Sequence, residues 1–162
     1  MTAAPVLPPP QPLADDVIEL RLIRILGPDD AAQRPPEMRF IAAAPEYRFA
    51  IHLRDDGQRV GRIHLRITDD PVITRAIGHS GYEVDQAHRQ RGYATRALRL
   101  IRELACQHGV SPLWILIEPD NLPSRKAVER VGFELVDIVS ASPPAVALGL
   151  GPELCRYAVS CT

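Results

Sequence analysis

The spacing of apolar positions changes several times along this chain, and each change marks an element. Val17 to Ile25 is rich in Ile and Leu with partial alternation and predicts a strand. Phe49, Ile51 and Leu53 alternate with Ala50, His52 and Arg54. After the turn signal Asp55-Asp56-Gly57-Gln58, Ile63, Leu65 and Ile67 alternate with Arg62, His64 and Arg66. This predicts a hairpin, and pairing odd positions with odd ones puts both apolar sets on one face. Ile77 to Val84 predicts a further strand, in which Gly78 and Gly81 permit a bend. The period then becomes helical. Ala94, Ala97, Leu98, Ile101, Leu104 and Ala105 form one stripe, with Arg96, Arg99, Arg102 and Glu103 opposite. Leu113 to Ile117 is continuously apolar, as in a buried strand. Asn121 is placed to cap a short helix that ends at Gly132, and Phe133 to Val139 and Cys155 to Val159 predict two last strands. The order makes an α/β fold, a mixed sheet with a strand–helix–strand crossover in its middle.

Prolines break this pattern at three places. Five of the first twelve residues are proline, so residues 1–14 read as a flexible arm and residues 15–162 as a single domain. Residues 29–46 contain Pro35, Pro36 and Pro45, so any helix there is short and broken. Ser142 to Pro152 is rich in Pro and Gly and reads as a long loop.

Composition narrows the function classes. The chain has 162 residues, 46% of them hydrophobic, with no run approaching a membrane span. A formal charge of −1 lacks the basic excess of a nucleic-acid binder. The three cysteines, Cys106, Cys155 and Cys161, have no framework spacing and read as reduced thiols of a cytoplasmic protein. The N-terminus lacks the features of a signal peptide. The five histidines have no ligand spacing, and Arg54, Arg62 and Arg66 flank His52 and His64, which opposes a bound metal.

The most informative stretch is Arg89-Gln90-Arg91-Gly92-Tyr93-Ala94, between a predicted strand and the amphipathic helix. Glycine there lets backbone approach a ligand, and the first helical turn offers unpaired N–H groups and a positive dipole end. A phosphate or pyrophosphate suits such a turn. Neither a Gly-x-Gly-x-x-Gly run nor a Gly-Lys-Ser/Thr loop is present. A second motif follows in Asp120-Asn121-Leu122-Pro123-Ser124, with Gly132-Phe133 beyond the next helix.

Together the two motifs resemble the GCN5-related N-acetyltransferases (GNAT). The matching positions are Arg89, Gly92 and Ala94, then Asn121, Ser124, Gly132 and Phe133. The likeness is good over about residues 77–139, and Gly78 to Val84 resembles small bacterial members in particular. It implies a sheet splayed between the fourth and fifth strands, with acetyl-CoA as cosubstrate. Backbone near Val84 would run beside the pantetheine, and amides of Gln90, Arg91, Gly92, Tyr93, Ala94 and Thr95, with Arg89, would hold the pyrophosphate. Asn121 would bind the pantetheine region, and Ser124 would lie near the thioester sulfur. Many members carry a tyrosine four residues after that serine, as acid for the leaving thiolate. Here the position is Val128. Ser124 is then the substitute acid, or a helix-capping residue and nothing more.

The amine acceptor must lose a proton before attack. Glu83, Glu118 and His79 rank in that order as the base. The expected activity is direct acetyl transfer to a primary amine of a small molecule or a protein N-terminus. The alternative is a non-catalytic acyl-CoA-binding module, which the missing tyrosine keeps open. Homodimers are common among proteins of this kind.

Overall fold

The computed structural model describes residue 10, residues 12–34 and residues 36–162. The expected arm at residues 1–9 and 11 lies outside the described residues. Its last part does not: Leu13–Ala14 (β1) pairs with Ile18–Leu26 (β2), and Leu13 is buried. The ordered domain therefore begins before residue 15.

Glu46–Leu53 (β3) and Arg59–Arg66 (β4) form the expected hairpin in odd-with-odd register, Phe49 opposite Ile63 and Tyr47 opposite Leu65. Ser80–Val84 (β5) completes a five-stranded antiparallel sheet in the order β1-β2-β3-β4-β5. Tyr93–Gln107 (α2) buries its predicted stripe, and Ala97, Leu98, Ile101 and Leu104 pack with Phe49, Ile63 and Leu65. That dry face drives assembly, at roughly 25 cal/mol per Å² of apolar surface removed from water. Leu113–Ile117 (β6), Glu134–Ser140 (β7) and Glu153–Val159 (β8) form a second antiparallel sheet in the order β6-β8-β7. Leu122–Val131 (α3) lies against α2. Among the described residues no helix is long and apolar enough to cross a membrane.

Two helices were not legible in the pattern. Pro71–Ala76 (α1) precedes the strand expected from Ile77, which begins only at Ser80, and forms because Asp70 caps the Val72 N–H and Pro71 suits a first helical position. Pro143–Ala147 (α4), capped by Ser142, interrupts the expected long loop. Residues 28–43 hold two short 3-10 helices, Pro28–Gln33 and Pro36–Ala43, as the prolines require.

The cysteine expectation is corrected. Cys106 and Cys161 form a disulfide with Cα atoms 5.6 Å apart, leaving Cys155 as the free, buried thiol. β8 carries the C-terminus back to the end of α2, where the Arg102 guanidinium holds the Ser160 carbonyl at 2.6 Å. A partner 55 residues away along the chain gives no spacing signal.

The splay falls where expected, at β5 and β6, which are the fourth and fifth strands once the two-residue β1 is set aside. The sheets are joined by hydrogen bonds at His79. The His79 N–H donates to the Trp114 carbonyl at 2.8 Å, and the Trp114 N–H donates to His79 Nδ1 at 2.9 Å. His79 Nε2 donates to the Thr68 carbonyl at 2.8 Å. His79→Ala should therefore lower unfolding free energy by about 2–4 kcal/mol, since it strands the half-buried Trp114 N–H and Thr68 carbonyl and leaves a void where the buried ring sat. Urea denaturation checks this, and a loss below about 0.5 kcal/mol would remove the clasp from the account.

Candidate functional site

Beyond His79 the two sheets part, and the gap opens into a cleft of about 580 Å³. The start of α3 and the polar face of the first sheet line it, and the turn that opens α2 follows the end of β5 outside this lining.

The turn comes first. Gln90 and Gly92 both adopt left-handed backbone, with φ of 64° and 80°. Gly92 is the N-cap of α2, and a Cβ built there would meet no atom within 4 Å. Its glycine is thus required by conformation, and the space before it is open. The first helical hydrogen bond is the one Arg96 N–H donates to the Gly92 carbonyl, so the amides of Tyr93, Ala94 and Thr95 precede the ladder. The Arg89 Nε donates to the Val84 carbonyl at 2.8 Å and ties the turn to β5. Arg91 is exposed, while Tyr93 and Ala94 are half-buried. The Thr95 hydroxyl is spent on the Ala127 carbonyl, so only its amide faces the turn. An anion of pyrophosphate size fits this arrangement of amides, open space and dipole.

At α3, the Asn121 side chain caps the helix by accepting the Ser124 N–H at 3.3 Å. Capping therefore falls to Asn121, and the Ser124 hydroxyl is left for another partner. That partner is the Tyr82 hydroxyl, 2.5 Å away across the splay. Tyr82 lies on β5, half-buried, and burial raises its hydroxyl above the ordinary tyrosine value while Ser124 opposes the shift. Val128, in the position where relatives carry tyrosine, is wholly buried in the core. Sequence reasoning missed Tyr82. Its signal was parity: on β5 it lies two residues from Ser80, whose hydroxyl donates to the His64 carbonyl of the neighbouring strand.

The base candidates separate clearly. Glu83 lines the cleft with its carboxylate 2.9 Å from Arg62. Glu118 also lines it, at the end of β6. His79 is placed elsewhere. It is buried, both ring nitrogens are engaged with backbone, and it borders a separate cavity of about 360 Å³. With Nδ1 accepting and Nε2 donating, it has no lone pair for an amine proton, which corrects the expectation for this residue.

The even positions of β3 and β4 form a polar floor that the sequence reading also missed. Glu46 is 1% exposed. Its carboxylate meets Arg48 Nε at 2.7 Å and Arg66 Nε at 3.1 Å. Burial would raise the Glu46 carboxyl, but the Arg66 and Arg48 guanidiniums outweigh it and hold it below the usual value. His64 sits beside them with Nε2 enclosed and unpartnered among the described residues. Burial first, then the Arg66 charge, depress His64 to about 3. The signal for this floor was the run of charged residues facing one another in the register, Glu46 opposite Arg66 and Arg62 opposite Glu83.

Comparison with known proteins bears on the family and the fold. Residues 12–134 match the family described as the acetyltransferase (GNAT) domain. The probable N-acetyltransferase YjcK of Bacillus subtilis (strain 168) is 31% identical over 90 residues, which span 54% of this chain and 48% of that protein. The chain thus spans about half the length of this curated relative. Among solved structures, the ribosomal-protein-S5-alanine acetyltransferase of Vibrio fischeri superposes with a TM-score of 0.62 at 14% identity, covering 93% of this chain and 97% of that one. RimL, a ribosomal L7/L12 alpha-N-protein acetyltransferase solved with coenzyme A, gives 0.63 at 13% identity, covering 93% and 98%. At these identities the likeness is one of fold.

The buried histidines make stability depend on pH. His64 is uncharged in the folded protein down to about pH 3 but titrates near 6.5 when unfolded. The unfolded state binds more protons between those values, so stability falls as pH falls through that window. His79, also depressed by burial, adds in the same direction. From pH 7 to pH 5 the His64 contribution amounts to roughly 2 kcal/mol. Urea midpoints at pH 7, 6 and 5 should fall less steeply for His64→Gln than for the parent. Parallel slopes would contradict the depressed histidine.

Proposed function

We propose that this chain, which belongs to the acetyltransferase (GNAT) family, moves an acetyl group from acetyl-CoA directly to a primary amine. The observation that carries the reading is the pairing of two features on either side of one splay. A left-handed, amide-rich turn opens α2, and a hydrogen-bonded Tyr82–Ser124 pair sits where the cleft crosses from one sheet to the other. The first suits a pyrophosphate, and the second suits a leaving thiolate.

Acetyl-CoA, when bound, supplies an acetyl group activated as a thioester. The chain's part is to hold and to move protons. Amides from Gln90 to Thr95, with Arg89 and Arg91, hold the pyrophosphate, and the backbone edge of β5 near Val84 and the Asn121 side chain flank the pantetheine. Such fixed donors need no reorganisation when the ligand arrives. Ser124 donates a proton to the departing sulfur and is re-protonated through the Tyr82 hydroxyl. This pair takes over the work of the tyrosine absent at Val128, which favours an enzyme over a non-catalytic acyl-CoA-binding module. Glu83 accepts the amine proton, directly or through water, with Glu118 as the second carboxylate within the cleft. Much of the rate comes from positioning the amine against the thioester. RimL is a ribosomal L7/L12 alpha-N-protein acetyltransferase, which makes peptide amines a natural acceptor class to test beside small amines.

Two mutational tests follow. Gly92→Glu places a carboxylate in the anion site and imposes a left-handed conformation that costs a side-chain residue about 1–2 kcal/mol. It should fold and lose coenzyme A binding in calorimetry; unchanged affinity would sink the cofactor assignment. Glu83→Gln should cut turnover by about 10²–10⁴, the usual range for a general base, with the deficit shrinking as pH rises toward the pKa of the amine. Initial rates from pH 6 to 9, with Glu118→Gln beside it, decide between the two carboxylates.

A further inference from the structure

The polar floor of the cleft is built for something the transfer of an acetyl group does not itself require. Glu46 sits under two guanidiniums, and each approaches it through Nε alone. The terminal nitrogens of Arg48 have no partner among the described residues. Arg66, 7% exposed, meets Glu46 as an ion pair without a hydrogen bond at its Nε, and donates from Nη1 to the Gly78 carbonyl at 3.3 Å. A third guanidinium, Arg34, stands close enough to Arg66 to oppose its charge, and the Arg34 Nε is enclosed without a partner among the described residues. His64, beside them, adds a neutral imidazole with an unpartnered Nε2. Round the cleft as a whole, Arg48, Arg59, Arg62 and Arg66 face Glu46, Glu83 and Glu118. The chain carries a formal charge of −1, so this local positive excess is a property of the cleft and not of the protein.

An ionised carboxylate shared by two arginines leaves one positive charge uncompensated. Arg66 is buried beside Glu46, while Arg48 is half-exposed and carries its charge to the open side of the floor. The free edge of a guanidinium is a planar fork that matches a carboxylate with two parallel hydrogen bonds.

Resting on the acetyltransferase reading above, we propose that the amine acceptor carries a carboxylate close to its amino group and that Arg48 and Arg66 bind that carboxylate on the floor of the cleft. The arginines fix the acceptor by its anionic end and present its amine toward the Glu83 and Ser124 side. They are specificity-determining residues and touch no reacting atom. A carboxylate can come from two sources, the α-carboxylate of a free amino acid or an acidic side chain near a peptide N-terminus.

Acetylated products serve as binding probes that need no turnover. N-acetylglycine is compared with N-acetylglycinamide for the α-carboxylate. N-acetyl-glycyl-aspartyl amide is compared with its asparaginyl counterpart for the acidic side chain. Affinity for the full-length protein with coenzyme A present is read by NMR titration. In at least one pair the carboxylate should bind at least 10-fold tighter, and the preference should weaken with added salt. Arg48→Gln should reduce it to under 3-fold, and Arg48→Lys, which keeps the charge but not the fork, should retain part of it. Arg48 is half-exposed, so both variants should fold, as circular dichroism will report. In turnover with the matching free amines, Arg48→Gln should raise KM far more than it lowers kcat. Equal binding of acid and amide in both pairs, or a preference that survives Arg48→Gln, overturns the proposal. A carboxylate preference without thiol release in any turnover assay would leave the carboxylate site standing and instead overturn the catalytic reading.

Discussion

Everything functional in this fold depends on one clasp, the contact of His79 with Trp114. Two antiparallel sheets that share no ladder are held edge to edge by one backbone hydrogen bond, from His79 to Trp114, and one from the Trp114 N–H to the buried imidazole. The approach is close enough that a Cβ on Gly78 would lie 3.0 Å from the Trp114 carbonyl, and Gly78 itself has φ of 76°. Any other residue would push the strands apart at the point where they must touch. Past this clasp no backbone hydrogen bond joins the two strands among the described residues, and they diverge. The backbone edges so exposed, unpaired in either sheet, form the walls of a slot. An uninterrupted sheet would have satisfied those groups internally and left no slot for a ligand arm.

The same divergence explains why charge is tolerated on the inner face of β3 and β4. A continuous sheet covered by a helix layer would need apolar residues there. Here the face looks into the cleft, and Glu46 can be almost fully buried only because two guanidiniums meet it. The Arg62–Glu83 pair nearer the rim is exposed on both sides and contributes little to stability, at about 0–1 kcal/mol. The floor and the rim thus differ in kind. The floor has a fixed charge geometry, while the rim carboxylate can exchange its partner for a substrate.

Elements with a clear period were legible from the sequence alone, and elements defined by their ends were not. The hairpin register, the α2 stripe and the buried β6 run follow directly from periods of 2 and 3.6. Short helices such as α1 and α4 have too few turns to show a period and are set by a cap and a proline, Asp70 with Pro71 and Ser142 with Pro143. The anion turn was legible because its signal is local: a glycine, arginines and a helix start. The Tyr82–Ser124 pair was not, since its members lie 42 residues apart and meet only through the splay. The Glu46 floor had a partial signal in charged residues at facing register positions. What the pattern omitted was that this face is open to a cleft and not simply to solvent. The Cys106–Cys161 bridge was opaque for the same reason as Tyr82, being a product of tertiary return.

That tertiary return also accounts for where a proton donor can sit. On α3, Ala127, Val128 and Val131 face inward, and Val128 is wholly enclosed among core residues shared with α2. A tyrosine at Val128 would have to force its ring into that packing, at a cost of about 1–3 kcal/mol, or turn its hydroxyl into an apolar site. The helix face is therefore closed to it. β5 offers the alternative, because strand alternation aims Tyr82 to the same side as Ser80, and the splay leaves room for a ring to reach α3. Ser124, freed from capping by Asn121, is the one hydroxyl on α3 within reach. The hydroxyl pair is thus a consequence of two prior choices, an aliphatic core position on the helix and an asparagine cap. In the mechanism proposed here a tyrosine still serves the thiolate, reached through a serine and supplied from the opposite wall of the slot.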